Sequence, residues 1–341
     1  MVSIIIPFYN DSYLIGETVR RATAGLNPDD FEIIIVNDGS TFNTPSLKRE
    51  YKNVHIIGYK INKGVGHAFD YGVKQALGDV LVLMGSDVYL HERSWLSDAL
   101  RALKHNENGI TASTCVGIQQ DEHGKITSQG IKRYGADILL RVTKDDLPEN
   151  SPLRQKDEYT DILQAKWLDG KQYNLPYRIP SLLGACYVTT KDFYMKIGGW
   201  GWIKDRSSMT REESKWCGHL SWGGLEPMIS LKTWFAGGEC KVDPRWETSH
   251  VFGRGDHVKK VRATQGDKYW WNKLFIAHTL FEPEQAKALD SHLLKELNQN
   301  IARLRIRNNR NAILLEKKWN DKIKTRDYTV FAEMFGYNTV I

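Results

Sequence analysis

Val80-Leu81-Val82-Leu83-Met84-Gly85-Ser86-Asp87-Val88-Tyr89 is an apolar run that stops at two small residues and then a carboxylate. The bulky apolar residues in succession read as a strand buried on both faces. Gly85 and Ser86 let the backbone turn without steric cost. Asp87 then falls just past the carboxyl end of the strand, the edge at which open parallel sheets bind ligands. A carboxylate there can hold a divalent cation against a substrate diphosphate. It can equally open a turn, a common place for Asp. The surrounding elements decide between these readings.

Upstream, Val2-Ser3-Ile4-Ile5-Ile6-Pro7 reads as a first buried strand stopped by proline. Asp11 or Ser12 can cap a helix that runs to about Ala24. Phe31 to Val36 is a second strand and ends in the turn-forming cluster Asn37-Asp38-Gly39-Ser40. Val54 to Ile57 is a third, weaker strand, and a glycine-punctuated helix follows from about Gly66 to Ala76. Strands alternating with helices predict an α/β fold with a mostly parallel central sheet and right-handed crossovers. Asp38 and Asp87 then share one edge of that sheet. A dinucleotide-binding fold is the natural competitor, but the first turn carries no G-x-G-x-x-G, and Gly64-Val65-Gly66 alone is a weak signal.

Ser3-Ile4-Ile5-Ile6-Pro7-Phe8-Tyr9-Asn10, Ile34-Ile35-Val36-Asn37-Asp38-Gly39-Ser40, Asn62-Lys63-Gly64 and Gly85-Ser86-Asp87 together resemble glycosyltransferase family two. The resemblance implies a GT-A-type, Rossmann-like nucleotide-sugar-binding fold. It implies that Pro7 and Tyr9 lie along the nucleotide, that Asp38 accepts a hydrogen bond from the base, usually uracil, and that Lys63 and Gly64 border the pocket beside Ser86. Asp87 would meet the metal, Mn²⁺ or Mg²⁺. An ionised Asp38 is acceptor-only, which suits a base N–H; a turn Asp bonding its own backbone is the plainer alternative. Where the family usually shows D-x-D, this chain reads Asp87-Val88-Tyr89. A protonated phenol is a poor ligand for either metal, so a second ligand must come from elsewhere.

Further on, Pro180-Ser181-Leu182-Leu183-Gly184-Ala185 has small residues that allow close approach to the backbone. Then come Gly198-Gly199-Trp200, Trp222-Gly223-Gly224-Leu225-Glu226, Trp234 and Ser249-His250-Val251-Phe252. This order is similar to that of the polypeptide N-acetylgalactosaminyltransferases. By that resemblance His250 is the missing metal ligand; a histidine satisfied in the core is the alternative, and a neutral imidazole is an accepted ligand for manganese. Glu226 is the candidate base that removes a proton from an acceptor hydroxyl, or else an acid placed favourably at a helix N-terminus. The relatives carry their Glu directly after the second glycine, where this chain has Leu225, so the acid sits one step later. Trp200, Trp202 and Trp222, with Gly223 and Gly224, are candidates for the acceptor side; the indoles can stack on a flat acceptor or fill core. Arg254 resembles the loop charge that closes over the diphosphate.

The middle of the chain is less legible. Ile110 to Val116 reads as a strand, Asp121-Glu122-His123-Gly124-Lys125 as a hairpin turn with an exposed histidine, and Asp145 to Asp161 as a charged surface excursion. From Pro283 to Lys324, Leu289, Leu293, Leu297, Ile301 and Leu304 recur at helical steps, with Arg303, Arg305, Arg307, Arg310, Lys317 and Lys318 on an outer face.

The 341 residues carry a net charge of +6, a mild excess that would attract a sugar nucleotide, a nucleic acid or an anionic surface without choosing among them. Four scattered cysteines argue against a zinc knuckle and for reduced thiols in a cytoplasmic protein. No apolar stretch approaches the roughly 18–20 residues of a membrane-spanning helix, and the Met1–Phe8 run lacks the basic leader of a signal peptide. The expected organisation is a GT-A domain over 1–260, with a nucleotide-binding half at 1–100 and an acceptor and catalytic half at 175–260, followed by a helical extension at 261–341. The expected activity is transfer of a sugar from a nucleotide sugar, a UDP-sugar by resemblance, to a hydroxyl of a glycan. A hydroxymethylated DNA base is a second acceptor class, and a non-catalytic nucleotide-sugar binder is a third reading, which the Tyr89 departure favours.

Overall fold

The computed structural model describes residues 1–10, 12–41, 51–90, 93–120, 126–139, 163–168, 174–184, 186–205, 207, 209–220, 223–251, 266–292 and 297–337. The first half alternates as expected: β1 (Val2–Phe8), α1 (Ser12–Thr23), β2 (Phe31–Asp38), β3 (Val54–Tyr59), α2 (Val65–Gln75) and β4 (Val80–Met84). β1 and β2 are apolar along nearly their whole length because helices or loops cover both faces of the sheet. β4, β1, β2 and β3 lie side by side and parallel, so their carboxyl ends share one edge. α2 crosses this sheet at close range. Gly72 makes that possible: a Cβ there would collide with Ile5 and Val36.

Past β4 the chain turns at Gly85–Asp87 into the short β5 (Val88–Leu90), then α3 (Trp95–Lys104), β6 (Ile110–Gln120) and β7 (Ile126–Arg133). β6 and β7 pair antiparallel, and the expected turn at 121–125 between them lies outside the described residues. So does the excursion at 145–161. β8 (Ala136–Ile138) and β9 (Ala165–Trp167) form a two-stranded sheet, and β10 (Tyr177–Arg178) precedes β11 (Cys186–Thr190). β11 enters antiparallel between β4 and β6. α4 (Lys191–Ile197) and α5 (Leu225–Phe235) follow, and β12 (Cys240–Val251) returns parallel to β6. Its register slips between Asp243 and Glu247, where Arg245 folds back onto the Asp243 carboxylate. Beyond the slip, β12 pairs with β5.

The tail folds as α6 (Gly266–Leu280), α7 (Pro283–His292), α8 (Leu297–Asn308), α9 (Arg310–Ile323) and α10 (Tyr328–Phe335). These helices continue the core of the sheet half: Ile5, Ile34, Trp200, Trp271, Phe275 and Phe331 belong to one buried cluster. The apolar stripe predicted for the tail is only partly buried. Leu289 is enclosed, but Ile301 and Leu304 are 36% and 56% exposed while Ala302 faces inward. Small Ala302 permits close helix contact, and that choice turns the larger residues outward. Leu293 lies outside the described residues. Among the described residues, no helix is long and apolar enough to cross a membrane.

Candidate active site

The parallel edge collects most of the predicted donor residues. Pro7 and Tyr9 end β1, Asp38 ends β2, Lys63 and Gly64 precede α2, and Ser86 and Asp87 follow β4. Two loops are clasped across the edge: Asn10 N–H donates to Ser40 Oγ at 3.1 Å, and Asn10 Oδ1 accepts from Thr41 N–H at 2.9 Å.

Asp38 is buried and acts as a hub. Its carboxylate accepts the N–H groups of Lys63 at 2.7 Å and Gly64 at 2.9 Å, and the Asn62 amide at 2.9 Å. Burial pushes its pKa up to about 6 against those bonds. The carboxylate therefore shapes the Asn62–Gly64 loop at the carboxyl end of β2. The Lys63 ammonium sits over the Tyr59 ring at 4.8 Å. Ser86 is buried, and its carbonyl accepts from the Thr18 hydroxyl at 2.6 Å, which fixes the turn before Asp87.

Asp87 and His250 meet. Asp87 Oδ2 lies 3.3 Å from His250 Nε2, with about a third and a quarter of each side chain exposed (32% and 26%). The meeting follows from strand pairing: Val88 is opposite His250 across β5 and β12, and Val251 N–H donates to Asp87 O at 3.0 Å. A carboxylate oxygen and an imidazole nitrogen converging on one accessible point form a donor pair that suits Mn²⁺. Tyr89 is no part of it. Its ring is buried, its hydroxyl reaches Gln120 Oε1 at 3.3 Å, and Arg21 covers its face at 4.6 Å. Among the described residues, no group of three or more His, Cys, Asp or Glu side chains gathers to hold a metal.

Glu226 sits in the first turn of α5, after Gly223 (φ 92°) and Gly224 (φ 71°). Both glycines adopt the left-handed conformation, and a Cβ on Gly223 would drive into the Tyr269 ring. Ser230 ties this turn down: its hydroxyl donates to Glu226 O at 2.6 Å and accepts from Leu182 N–H at 2.9 Å. Burial raises the Glu226 carboxyl to about 7. Tyr187 on β11 feels it; burial first, and Glu226 next, hold that phenol well above its ordinary range. Cys186, beside Tyr187, pairs with Met84 at the end of β4. Glu226 thus lies near β11, the strand that pairs with β4.

Trp200 and Trp202 are not acceptor platforms. Trp200 is wholly buried against Phe69, with its indole N–H donating to Leu225 O at 2.9 Å; Trp202 is buried and donates to His219 O at 2.8 Å. Indoles whose faces and N–H groups are both engaged inside have nothing to offer a ligand. Trp222, Ala185 and Arg254 lie outside the described residues.

Sequence reasoning passed over Asp70, Lys232 and Glu316. Asp70 lies on the buried face of α2, and its carboxylate receives the Trp200 and Trp202 N–H groups at 3.0 and 2.7 Å. An acid between Phe69 and Val73 on an apolar helix face was the available signal. Lys232 on α5 and Lys204 both pair with Glu316 on α9.

Comparison with known proteins agrees with this fold. Residues 3–159 match the family described as glycosyl transferase family 2. The chain is 23% identical over 294 residues to polypeptide N-acetylgalactosaminyltransferase 11 of Xenopus tropicalis, covering 82% of this chain and 42% of that protein. It is 33% identical over 94 residues to an undecaprenyl-phosphate 4-deoxy-4-formamido-L-arabinose transferase of Enterobacter sp., covering 26% of this chain and 29% of that one. The crystal structure of GalNAc-T7 with UDP, GalNAc and Mn²⁺ superposes with a TM-score of 0.64 at 16% identity, covering 98% of this chain and 56% of that one. The chain spans less than half the length of these curated relatives. The segment 3–159 carries the glycosyl transferase family 2 pattern, and the chain as a whole has the GT-A glycosyltransferase fold.

Proposed function

We propose that this protein is a metal-dependent glycosyltransferase that moves a sugar from a nucleotide sugar, a UDP-sugar, to an acceptor hydroxyl. The observation that carries the proposal is the 3.3 Å approach of Asp87 and His250 at the carboxyl edge of the parallel strands. Asp87 and His250 would hold Mn²⁺ or Mg²⁺, which when bound offsets negative charge on the diphosphate. Pro7 and Tyr9 line the nucleotide, and Asp38 both receives the base N–H and fixes the loop of Lys63 and Gly64 beside it. Ser86 sets the turn that aims Asp87, and Arg254 adds a cation over the leaving group.

Glu226 is the general base. Its carboxylate takes the acceptor hydroxyl proton as the acceptor oxygen bonds to the anomeric carbon. The bond from that carbon to the diphosphate oxygen breaks, and the diphosphate leaves with the electron pair. A carboxyl held near 7 is half ionised at neutral pH, a good match for proton abstraction. Gly223 and Gly224 shape the acceptor side with Trp222.

A glycan hydroxyl fits better than a hydroxylated DNA base. The basic tail that favoured DNA has Arg303 bound to Asp290, and Arg305 bound to Asp267 with its guanidinium over Trp216 at 4.0 Å. A reducing compartment, the cytoplasm, suits the four cysteines, all buried and outside any disulfide. The test is a screen of UDP- and GDP-sugars for Mn²⁺-dependent hydrolysis, followed by transfer to glycan acceptors. UDP binding without hydrolysis or transfer under any divalent metal would leave only a nucleotide-sugar binder.

A further inference from the structure

The turn Gly198–Trp202 is gripped from opposite sides by buried charges. Its N–H groups at Trp200 and Trp202 point to Asp70, which also receives the Tyr194 hydroxyl at 2.5 Å. Its carbonyls at Gly199 and Gly198 receive the Lys232 ammonium at 2.7 and 3.4 Å. Gly198, Gly199 and Gly201 all lie at positive φ (72°, 49° and 94°), so the turn takes a shape that L side chains rarely adopt. Such a conformation persists only where its surroundings over-determine it.

What the turn presents is a pair of indoles, and both reach the segment that leads into Glu226. Trp202 donates to His219 O, and Trp200 donates to Leu225 O. His219 in turn donates from Nε2 to Gly223 O at 2.8 Å. Burial holds its pKa down at about 4, so the ring stays neutral with its proton on Nε2. Asn272 adds donations to Gly223 O at 2.9 Å and Leu220 O at 2.6 Å. Leu225 is the first residue of α5 and Glu226 the second. A bond to the Leu225 carbonyl therefore sets the angle at which the Glu226 side chain leaves the helix.

We propose that Asp70 is a positioning residue for Glu226, acting through the Gly198–Trp202 turn and the Trp200 indole. The inference rests on Glu226 being the base. Asp70 touches no reacting atom; it fixes two backbone amides whose residues carry the indoles. Buried groups that act along such a chain change rates through placement, and a misplacement of about 1 Å costs about 10²-fold. Tyr187 is the titratable neighbour whose phenol responds to Glu226, and it is reached from β11 and not from this turn.

Two variants test it. Asp70→Asn keeps the shape but turns one acceptor into a donor against an N–H or O–H. Trp200→Phe keeps an aromatic filler and deletes the bond to Leu225 O together with part of the buried ring volume. Each is assayed for kcat, donor KM and UDP binding, and the Glu226 carboxyl is titrated by ¹³C NMR. The expected result is a fall in kcat of about 10²-fold with donor KM and UDP affinity within about twofold. The Glu226 midpoint should move below its wild-type value as water reaches the carboxyl. If Asp70→Asn does not fold, Trp200→Phe carries the test. Wild-type kcat in either folded variant, or a loss of kcat with the Glu226 titration unmoved, overturns the proposal. Glu226→Gln run beside them separates the two readings: full activity in that variant removes the base assignment, while the carboxyl titration still reports whether Asp70 places the side chain.

Discussion

His250 Nε2 stands 3.3 Å from Asp87 Oδ2, although more than 160 residues separate them in the chain. The contact follows from β12, which beyond its register slip runs between β6 and β5 and so sets His250 opposite Val88. One strand ends in an acid and the other presents an imidazole beside it. Replacing His250 by Ala should raise the Mn²⁺ concentration for half-maximal donor hydrolysis by at least about tenfold, since even outer-shell losses reach that size. Asp87→Asn should do the same. The measurement is a Mn²⁺ titration of turnover after chelation, and an unchanged response in both variants would place the cation elsewhere.

Glu226→Gln should lower transfer by about 10²–10⁴-fold while UDP binding survives. Because burial lifts the carboxyl to about 7, the active, ionised form is lost as pH falls through that value, so the rate should rise to a plateau above about pH 7. The linkage to stability runs the other way. The folded state holds this proton more tightly than the unfolded chain, whose carboxyl titrates near 4.5. Its stabilisation is complete below about 4.5 and disappears as pH climbs through about 7. Thermal melts between pH 5 and 8 should therefore fall more steeply for the wild type than for Glu226→Gln.

Asp38→Ala takes the carboxylate acceptor from the Lys63 and Gly64 amides, while the Asn62 side chain keeps its bond to the backbone carbonyl of residue 38. Unsatisfied buried donors cost about 1–3 kcal/mol each at most, so a loss of about that order is expected in chemical unfolding. UDP affinity, read by calorimetry, should fall with it. A variant that keeps its stability but loses UDP would give Asp38 to the nucleotide alone.

Glu316→Ala should be the most damaging single change among these to the fold. Glu316 is buried between Lys204 and Lys232, and its loss takes the paired acid from both ammonium groups, leaving Lys232 only its carbonyl acceptors. Breaking a buried pair costs about 3–5 kcal/mol, whereas replacing acid and base together by apolar residues is often neutral. Denaturant titration should show Glu316→Ala far less stable than the triple change Glu316→Leu, Lys232→Met, Lys204→Met. Equal stability would mean that α9 docks through its apolar contacts.

The parallel half of the fold was legible because its strands are buried on both faces and its helices lie between them in sequence. β1, β2 and β4 begin where their apolar runs begin, and Asp38 and Asp87 fall at strand ends by simple counting. His250 was singled out through resemblance, and strand pairing explains its approach to Asp87. Trp200 and Trp202 stayed open between acceptor and core because an indole that stacks on a sugar and one that fills a core look alike in sequence; what places them in the core is an internal acceptor for each N–H. Asp70 and Glu316 escaped notice for a related reason. Their partners lie 130 and 84 residues away, a distance no periodicity spans. In the tail, helical spacing was read correctly, but the inward face was set by Ala302 and not by the largest residues.

The position of β11 has a bearing on how the polypeptide emerges from the ribosome. Met84 is made about 100 residues before Cys186, its neighbour in the finished sheet, and synthesis at roughly 5–20 residues per second leaves that flank of β4 bare for about 5–20 s. During that interval the nascent sheet offers unpaired backbone to any extended segment nearby. A chaperone that shields this flank, or slower translation before Cys186, would then alter the yield of folded protein.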